Sequence, residues 1–340
     1  MAMTRIGVIG LGMAVAPHAK SLLDLMGELE VVGAFSPSPD RRKAFHDQFG
    51  LPIADSTEAI FDDPAIDAVL LLTPPNTHLD LVTRAAQAGK HILLEKPLEI
   101  SPERAQKLVE TAEHAGVKLG VVLQHRFRPV SVALRSIISD GRLGQIISAS
   151  ARLSNWRPQS YYDEPGRGTY ARDGGGVLLT QGIHTLDLLI SLAGLPDEVT
   201  GYAATSPAHD MEAEDMAFAA IRYANGALGT IGATTVAYPG YPDSIDIIGT
   251  KGTARIESGK LVAQFHDGTL TEATDNTESM GAGSDPMAFP HQHHRAVLQD
   301  FLAAIREDRE PMVSGREALK VHRLIDAILR SGKTGRPEAV

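Results

Sequence analysis

Strand-like and helix-like stretches alternate along the first third of the chain, and this restricts the fold more than any other feature. Short apolar runs fall at 5–10, 29–35, 67–72, 91–94 and 119–123. Helix-period stretches separate them, one running through Leu25 and another spanning 101–115. After Asp67, the run Ala68-Val69-Leu70-Leu71-Leu72 has no polar alternation. Such a run suits a central strand covered on both faces of a parallel sheet. Strand–helix repetition of this kind predicts a doubly wound α/β domain over residues 1–124.

The first strand runs into Gly10-Leu11-Gly12-Met13-Ala14-Val15 and then a helix. Strand, glycine turn and helix form the context that a dinucleotide-binding turn requires. Gly10 permits the tight turn, and Gly12 lets a pyrophosphate approach the positive end of the helix. Val15 replaces the third glycine of the usual fingerprint. The second strand ends at Ser36 and lacks the carboxylate that would bind ribose hydroxyls. Ser36 with Arg41 or Arg42 could instead accept a 2′-phosphate, or both arginines could simply open the next helix. The third strand stops at Thr73-Pro74-Pro75-Asn76-Thr77-His78, and the fourth at Glu95-Lys96-Pro97. Both loops lie at carboxyl ends of strands, where open α/β sheets bind ligands.

From Gln145 the texture changes. Alternating strands are expected at 147–153, 198–205, 215–224, 227–237 and 244–249, with Asn225-Gly226 and Thr250-Lys251-Gly252 as turn signals. These predict a largely antiparallel sheet with helices on one side. Residues 268–288 are polar and read as a loop. Amphipathic helices are expected near 291–306 and 316–331.

Residues 174–187 carry the strongest chemical signal: Gly-Gly-Gly, then an apolar helix with Thr180, His184 and Asp187 at i, i+4 and i+7. That spacing puts three polar groups on one face. A polar stripe on a greasy helix implies a wet cleft or buried partners. His184 is then a candidate proton-transfer group, and Asp187 an anchor. Asn155 to Tyr162 holds the only tryptophan. Trp156, Arg157 and Tyr161 suit a polyhydroxylated ring, stacking on its C–H face and bonding its hydroxyls. Arg167 and His125 are further candidates for substrate contact. His291 and His294 could share a helix face, but no cysteine stands nearby, and roles at a helix start or cleft rim are preferred over a metal site.

The chain has 340 residues, no cysteine and a formal net charge of −10. Absence of cysteine removes disulfides, thiolate nucleophiles and thiolate zinc sites. The charge speaks against nucleic acid as a partner. No apolar window of about eighteen residues is evident, so no membrane span is expected. Without a charged-then-apolar leader, a cytoplasmic location is expected.

The glycine turn, Glu95-Lys96-Pro97 after the fourth strand and the Gly-Gly-Gly…Gly-x-His-x-x-Asp pattern occur in an order that resembles the Gfo/Idh/MocA oxidoreductases. That family is named for glucose–fructose oxidoreductase and inositol dehydrogenase, and the resemblance covers nearly the whole chain. It implies an N-terminal Rossmann domain at 1–124. An α+β domain with a large, mostly antiparallel open sheet would follow at 125–340. It implies NAD or NADP as cofactor and a sugar, cyclitol or related polyol as substrate. It also implies a homodimer or homotetramer formed through the second sheet.

By the same resemblance, Lys96 matches the catalytic-site lysine and His184 the general acid/base. Gly10 and Gly12, with Met13 and Ala14, match the pyrophosphate turn. Glu95 falls near the nicotinamide ribose, while Pro74 and Asn76, flanked by Thr73 and His78, form the loop beneath the cofactor. Thr180 stands where many members carry Asp or Asn. A hydroxyl cannot titrate near neutral pH, so Thr180 is expected only to contact substrate, leaving a Lys96–His184 pair. In that scheme His184 takes the hydroxyl proton and Lys96 steadies the alkoxide. Two alternatives are a dinucleotide-binding regulator without turnover, and a glycosidase or epimerase working through transient oxidation with recycled cofactor.

Overall fold

The computed structural model describes residues 3–275 and 290–340. The first part contains β1 (Thr4–Ile9), α1 (Val15–Asp24), β2 (Leu29–Phe35), α2 (Pro39–Phe49) and α3 (Glu58–Phe61). It continues with β3 (Ala68–Leu71), α4 (His78–Gln87), β4 (His91–Leu94), α5 (Pro102–His114) and β5 (Leu119–Val121). Next come α6 (Pro129–Ser139), β6 (Ile146–Trp156), α7 (Gln159–Tyr162), α8 (Tyr170–Asp173) and α9 (Ile183–Ala193). Seven strands follow: β7 (Glu198–Ala204), β8 (Met216–Arg222), β9 (Leu228–Thr234), β10 (Val236–Gly249), β11 (Gly252–Glu257), β12 (Lys260–Phe265) and β13 (Leu270–Thr274). The chain closes with α10 (Gln292–Arg306), α11 (Gly315–Thr334) and β14 (Glu338–Ala339).

These elements form two compact units, Met1–Gln124 with Phe289–Leu319, and His125–Ala288 with Lys320–Val340. The sequence reading gave everything after residue 124 to one second domain, whereas 290–319 groups with the first. Side-chain chemistry accounts for the return. Phe301 of α10 is fully buried, and a Cβ on Gly120 of β5 would lie 3.0 Å from its ring. Arg306 pairs with Glu28 at 3.0 Å, and the Val121 N–H donates to the Val313 carbonyl at 2.9 Å.

The first unit is built on a five-stranded parallel sheet in the order β2-β1-β3-β4-β5. All four residues of β3 are buried, as a strand covered on both faces requires. The order reverses beside β1, so the carboxyl ends of β1 and β3 flank the place where such sheets take a ligand.

The second unit holds a nine-stranded sheet, β13-β12-β11-β10-β6-β9-β8-β7-β14. Only β6 and β9 pair in parallel; the other neighbours are antiparallel. Strands β8, β11 and β12 alternate buried and exposed along their length, so one face is covered and the other is open. Helices α6 and α9 pack against this sheet. Strand β13 lies in the stretch read as loop, and residues 276–288 of that stretch fall outside the described residues. At the sheet edge its residues never become fully buried, so no apolar period marks it. Among the described residues, one helical stretch, Tyr170–Ala193, is long and apolar enough to cross a membrane, contrary to the sequence reading. Its apolar window is 72% buried inside the fold, which makes it a core helix here.

Close packing of β6 and β9 gives a direct test. A Cβ on Gly229 would fall 1.7 Å from the Ala149 carbonyl oxygen, which is backbone and cannot step aside cheaply. Gly229→Ala is expected to lower the unfolding free energy in urea by about 2 kcal/mol or more. An unchanged midpoint would contradict this packing.

Candidate functional site

In the first unit the glycine turn is shaped by crowding on one side and space on the other. Gly10 has φ +105°, and a Cβ there would meet the Leu72 carbonyl carbon at 2.6 Å. Only glycine fits both restrictions. A Cβ on Gly12 would meet nothing within 4 Å. Helix α1 begins without a side-chain cap and without an acidic residue in its first turn. The Val15 N–H is taken by the Gly12 carbonyl at 3.2 Å and Pro17 carries none, so an anion would meet chiefly the positive end of the helix dipole, and the open space over Gly12 accommodates a pyrophosphate. Met13 is exposed at the same turn, and Ala14 is the residue that opens the helix. The residues present fit a dinucleotide.

The neighbouring strand ends complete this half. Ser36 is buried at the end of β2, and its carbonyl accepts a hydrogen bond from Arg42 Nη1 at 2.5 Å. Arg42 also lies over the Phe35 ring. Arg41, named as a cofactor contact from sequence, is exposed, and its backbone N–H is taken by the Ser38 hydroxyl in the cap of α2. The helix register turns Arg42 inward instead. After β3, Pro74 and Asn76 are exposed and Thr73 is half-buried, its hydroxyl bonded to Thr77 at 2.8 Å.

His78 departs from the expectation of a cofactor contact. It is completely buried, with Nε2 facing the Thr73 carbonyl at 2.8 Å and Nδ1 facing those of Pro97 and Leu98 at 3.0 and 3.1 Å. Burial pushes its pKa down. It ties the loop after β3 to the turn after β4 and reaches no ligand surface. That second turn carries Glu95 and Lys96, both half-buried. Glu95 Oε2 is 3.0 Å from His18 Nε2 of α1.

In the second unit the Gly-Gly-Gly segment is held by a residue the sequence reading did not single out. The Glu214 carboxylate accepts the N–H groups of Gly176 and Leu178 at 3.0 and 3.2 Å, and burial pushes its pKa up. Gly176 must be glycine, since a Cβ would lie 1.8 Å from the Glu214 carbonyl oxygen. A π-helical turn, Leu178–Gly182, precedes α9. Bonds of the i→i+5 type widen this turn, so Thr180 and His184 do not belong to one continuous α-helix. Thr180 bonds the Gly176 carbonyl at 2.6 Å and also the Gln181 side chain.

The remaining polar groups of the stripe have separate explanations. Asp187 is 1% exposed and receives two hydrogen bonds from the buried Arg126, at 2.8 and 2.6 Å. This forked pair fixes residues 125–127 against α9. His125 is adjacent to Arg126, and its ring lies 5.0 Å from that of half-buried His184, tilted by 33°. Thr185 donates to Asp243, whose burial pushes its pKa up to about 6.

The expected substrate loop gathers near the same helix. Tyr161 lies under two guanidiniums, Arg167 at 4.2 Å and Arg157 at 5.6 Å from the ring centre. Its hydroxyl is 3.5 Å from Gln181 Nε2. Trp156 meets Tyr238 edge-on at 5.5 Å. Behind them, His209 bridges Asp215 and the Arg157 carbonyl, each at 2.9 Å, and so braces the loop from within. His125 thus meets His184 of α9, Thr180 stands in the turn that leads into that helix, and Trp156, Arg157, Tyr161 and Arg167 form a second group, linked to that turn through Gln181.

Comparison with known proteins agrees with this geometry. Residues 4–123 match an oxidoreductase family with an NAD-binding Rossmann fold, and residues 131–255 match the GFO/IDH/MocA C-terminal domain. The WlbA dehydrogenase of Bordetella pertussis, crystallised with NADH and UDP-GlcNAcA, is 30% identical. The match covers 100% of this chain and 99% of that one, with a TM-score of 0.84. Inositol 2-dehydrogenase of Rhizobium meliloti is 28% identical over 96% of each chain. D-xylose 1-dehydrogenase (NADP(+)) 2 of Haloferax volcanii is 27% identical over 97% of each.

Two measurements follow from the geometry. Gly12→Val fills the open space with no clash, so thermal stability is expected to hold while NADH affinity falls by about tenfold or more; unchanged affinity would remove the pyrophosphate from this turn. Asp243 holds its proton in the fold up to about pH 6, against 3.8 in the unfolded chain. Stability from this group is therefore full below the unfolded value and is lost as pH rises through the folded one. Asp243→Asn keeps an acceptor for Thr185 and is expected to stabilise the protein by about 2 kcal/mol at mildly alkaline pH, with little effect in acid. Equal effects at both pH values would contradict this.

Proposed function

This chain belongs to the Gfo/Idh/MocA oxidoreductases, and we propose that it is an NAD(P)-dependent dehydrogenase acting on a hydroxyl-bearing carbon of a sugar, cyclitol or related polyol. The observation that carries the reading is the glycine turn: obligatory glycine at position 10, open space at Gly12 and an uncapped helix end. The relatives named above act as dehydrogenases on compounds of that class, which supports the substrate assignment.

When bound, the nicotinamide ring supplies the hydride acceptor or donor. The protein manages one proton and one developing negative charge. His184 takes the hydroxyl proton in the oxidation direction and returns it in reduction, as a group whose ordinary pKa lies near neutrality. The Lys96 ammonium stabilises the alkoxide before hydride leaves its carbon. Thr180 and His125 contact substrate hydroxyls beside His184. Trp156, Arg157, Tyr161 and Arg167 offer an aromatic face rimmed by guanidinium donors, suited to a ring with apolar C–H faces and polar edges. Thr73, Pro74 and Asn76 support the cofactor, with Ser36 at the adenosine ribose. Retention of both Lys96 and His184 favours turnover over a purely regulatory role.

The assembly we propose is a homodimer or homotetramer formed through the open face of the nine-stranded sheet. Tyr202, Phe218, Leu228, Ile248 and Val262 project from that face, Tyr202 and Phe218 as direct cross-strand partners that are 74% and 55% exposed. Apolar exposure on this scale marks an interaction surface. A cytoplasmic location accords with the absence of cysteine.

His184→Ala is expected to lower kcat by about 10²-fold or more while NADH affinity is retained. Lys96→Ala is expected to lower kcat comparably. The assay is absorbance of the reduced nicotinamide over a panel of sugars and cyclitols. Near-normal turnover by either variant would refute its role.

A further inference from the structure

Three titratable side chains from distant parts of the sequence meet behind the glycine turn. Glu95 follows β4, His18 lies on α1, and His294 lies on α10. His18 is 4% exposed and His294 9%, while the Glu95 side chain keeps 14% of its surface open. His18 Nε2 stands 3.0 Å from Glu95 Oε2. The His294 ring meets that of His18 edge-on, with centres 5.0 Å apart. Helix α10 is held there by His291 and Arg295, which bond Asp24 of α1 at 2.8 and 3.0 Å, and by the Ser21 hydroxyl, which donates to the His291 carbonyl at 3.2 Å.

We propose that His18 is a positioning residue for the cofactor, acting through Glu95. Its Nε2–H fixes one carboxylate oxygen so that Oε1 can accept a hydroxyl of the nicotinamide ribose. The inference rests on the reading of Glu95 as a ribose contact and supplies the reason that Glu95 can serve as one. An ionised carboxylate is only an acceptor, so the proton between His18 and Glu95 belongs to the imidazole. The same bond ties the helix that follows the pyrophosphate turn to the turn that carries Lys96.

Energetics agree with the geometry. Burial alone would push the Glu95 carboxyl up, but the His18 hydrogen bond and the charges of His18 and Lys96 outweigh it and hold the group below its ordinary range. His294 takes the opposite course. Burial pushes its pKa down to about 3, and His18, His291 and His293 add to that fall, while Glu95 opposes it. A neutral His294 walls off water behind His18, and its Nδ1 is buried without a hydrogen-bond partner. The histidine run at 291–294 is thereby given a structural task in which no metal is required.

The test is fluorescence titration of NADH into the full-length protein from mildly acidic to mildly alkaline pH. His18→Leu is expected to weaken binding by about tenfold or more, the loss of one charge-assisted contact. It also leaves Glu95 buried without its donor. The carboxyl pKa then rises, and affinity falls toward acid, a dependence that Glu95 does not impose on the parent protein. His18→Gln, with an amide N–H in place of the ring donor, is expected to recover most of the affinity. His294→Phe, which keeps the wall, is expected to bind as the parent does. A folded His18→Leu that binds NADH normally with no new pH dependence would overturn the proposal, as would a His18→Gln no better than His18→Leu. If His18→Leu does not fold, His18→Asn, with an amide too short to reach Glu95, serves in its place. Glu95→Gln separates the two layers. Normal NADH binding by Glu95→Gln removes the ribose contact itself, whereas weak Glu95→Gln beside normal His18→Leu removes only the positioning.

Discussion

A side chain at residue 10 would collide with the backbone where β3 ends, and much of the first unit follows from that crowding. The chain leaves β1 with a positive φ at Gly10 and enters α1 three residues after Gly12. The helix end is delivered uncapped to the edge of the parallel sheet, with vacant space above Gly12. Among the described residues no side chain caps this helix start, which leaves its positive end open to an anion. One turn further on, His18 is carried to Glu95, so the same turn that shapes the phosphate site also sets the strand end bearing Lys96.

In the second unit an interior ion pair has the corresponding part. Arg126 and Asp187 are both buried and joined by a fork of two hydrogen bonds. Removing either partner would strand a charge in the interior, which costs several kcal/mol. The pair therefore specifies one docking of residues 125–127 on α9, where His125 meets His184. Glu214 acts similarly on the glycine segment, with a carboxylate at the point where α9's lead-in turn needs acceptors for its N–H groups.

Local pattern carried a large share of this into the sequence. The unbroken apolar run of β3, the strand–glycine–helix start and the glycine-led helix with His184 are each encoded within a few residues, and all three are where the pattern puts them. Contacts that depend on distant partners were not readable. His18 and Glu95 are 77 positions apart, and nothing in the periodicity of α1 singles out His18. His78 looked like a loop residue beside Pro74, yet three backbone carbonyls draw it wholly inside. The return of α10 to the first unit depends on Phe301 finding Gly120, again a pairing across the sequence. Strand β13 was missed for another reason: an edge strand with half-solvated residues shows neither an apolar run nor a clean alternation.

The most direct test of the dehydrogenase assignment follows the hydride itself. Candidate cyclitols and sugars deuterated at the carbinol carbon are turned over with NAD+ or NADP+, and the reduced cofactor is examined by mass spectrometry. The account predicts deuterium on the nicotinamide of the released cofactor for at least one polyol. Tight cofactor binding with no label reaching the nicotinamide from any polyol would contradict it.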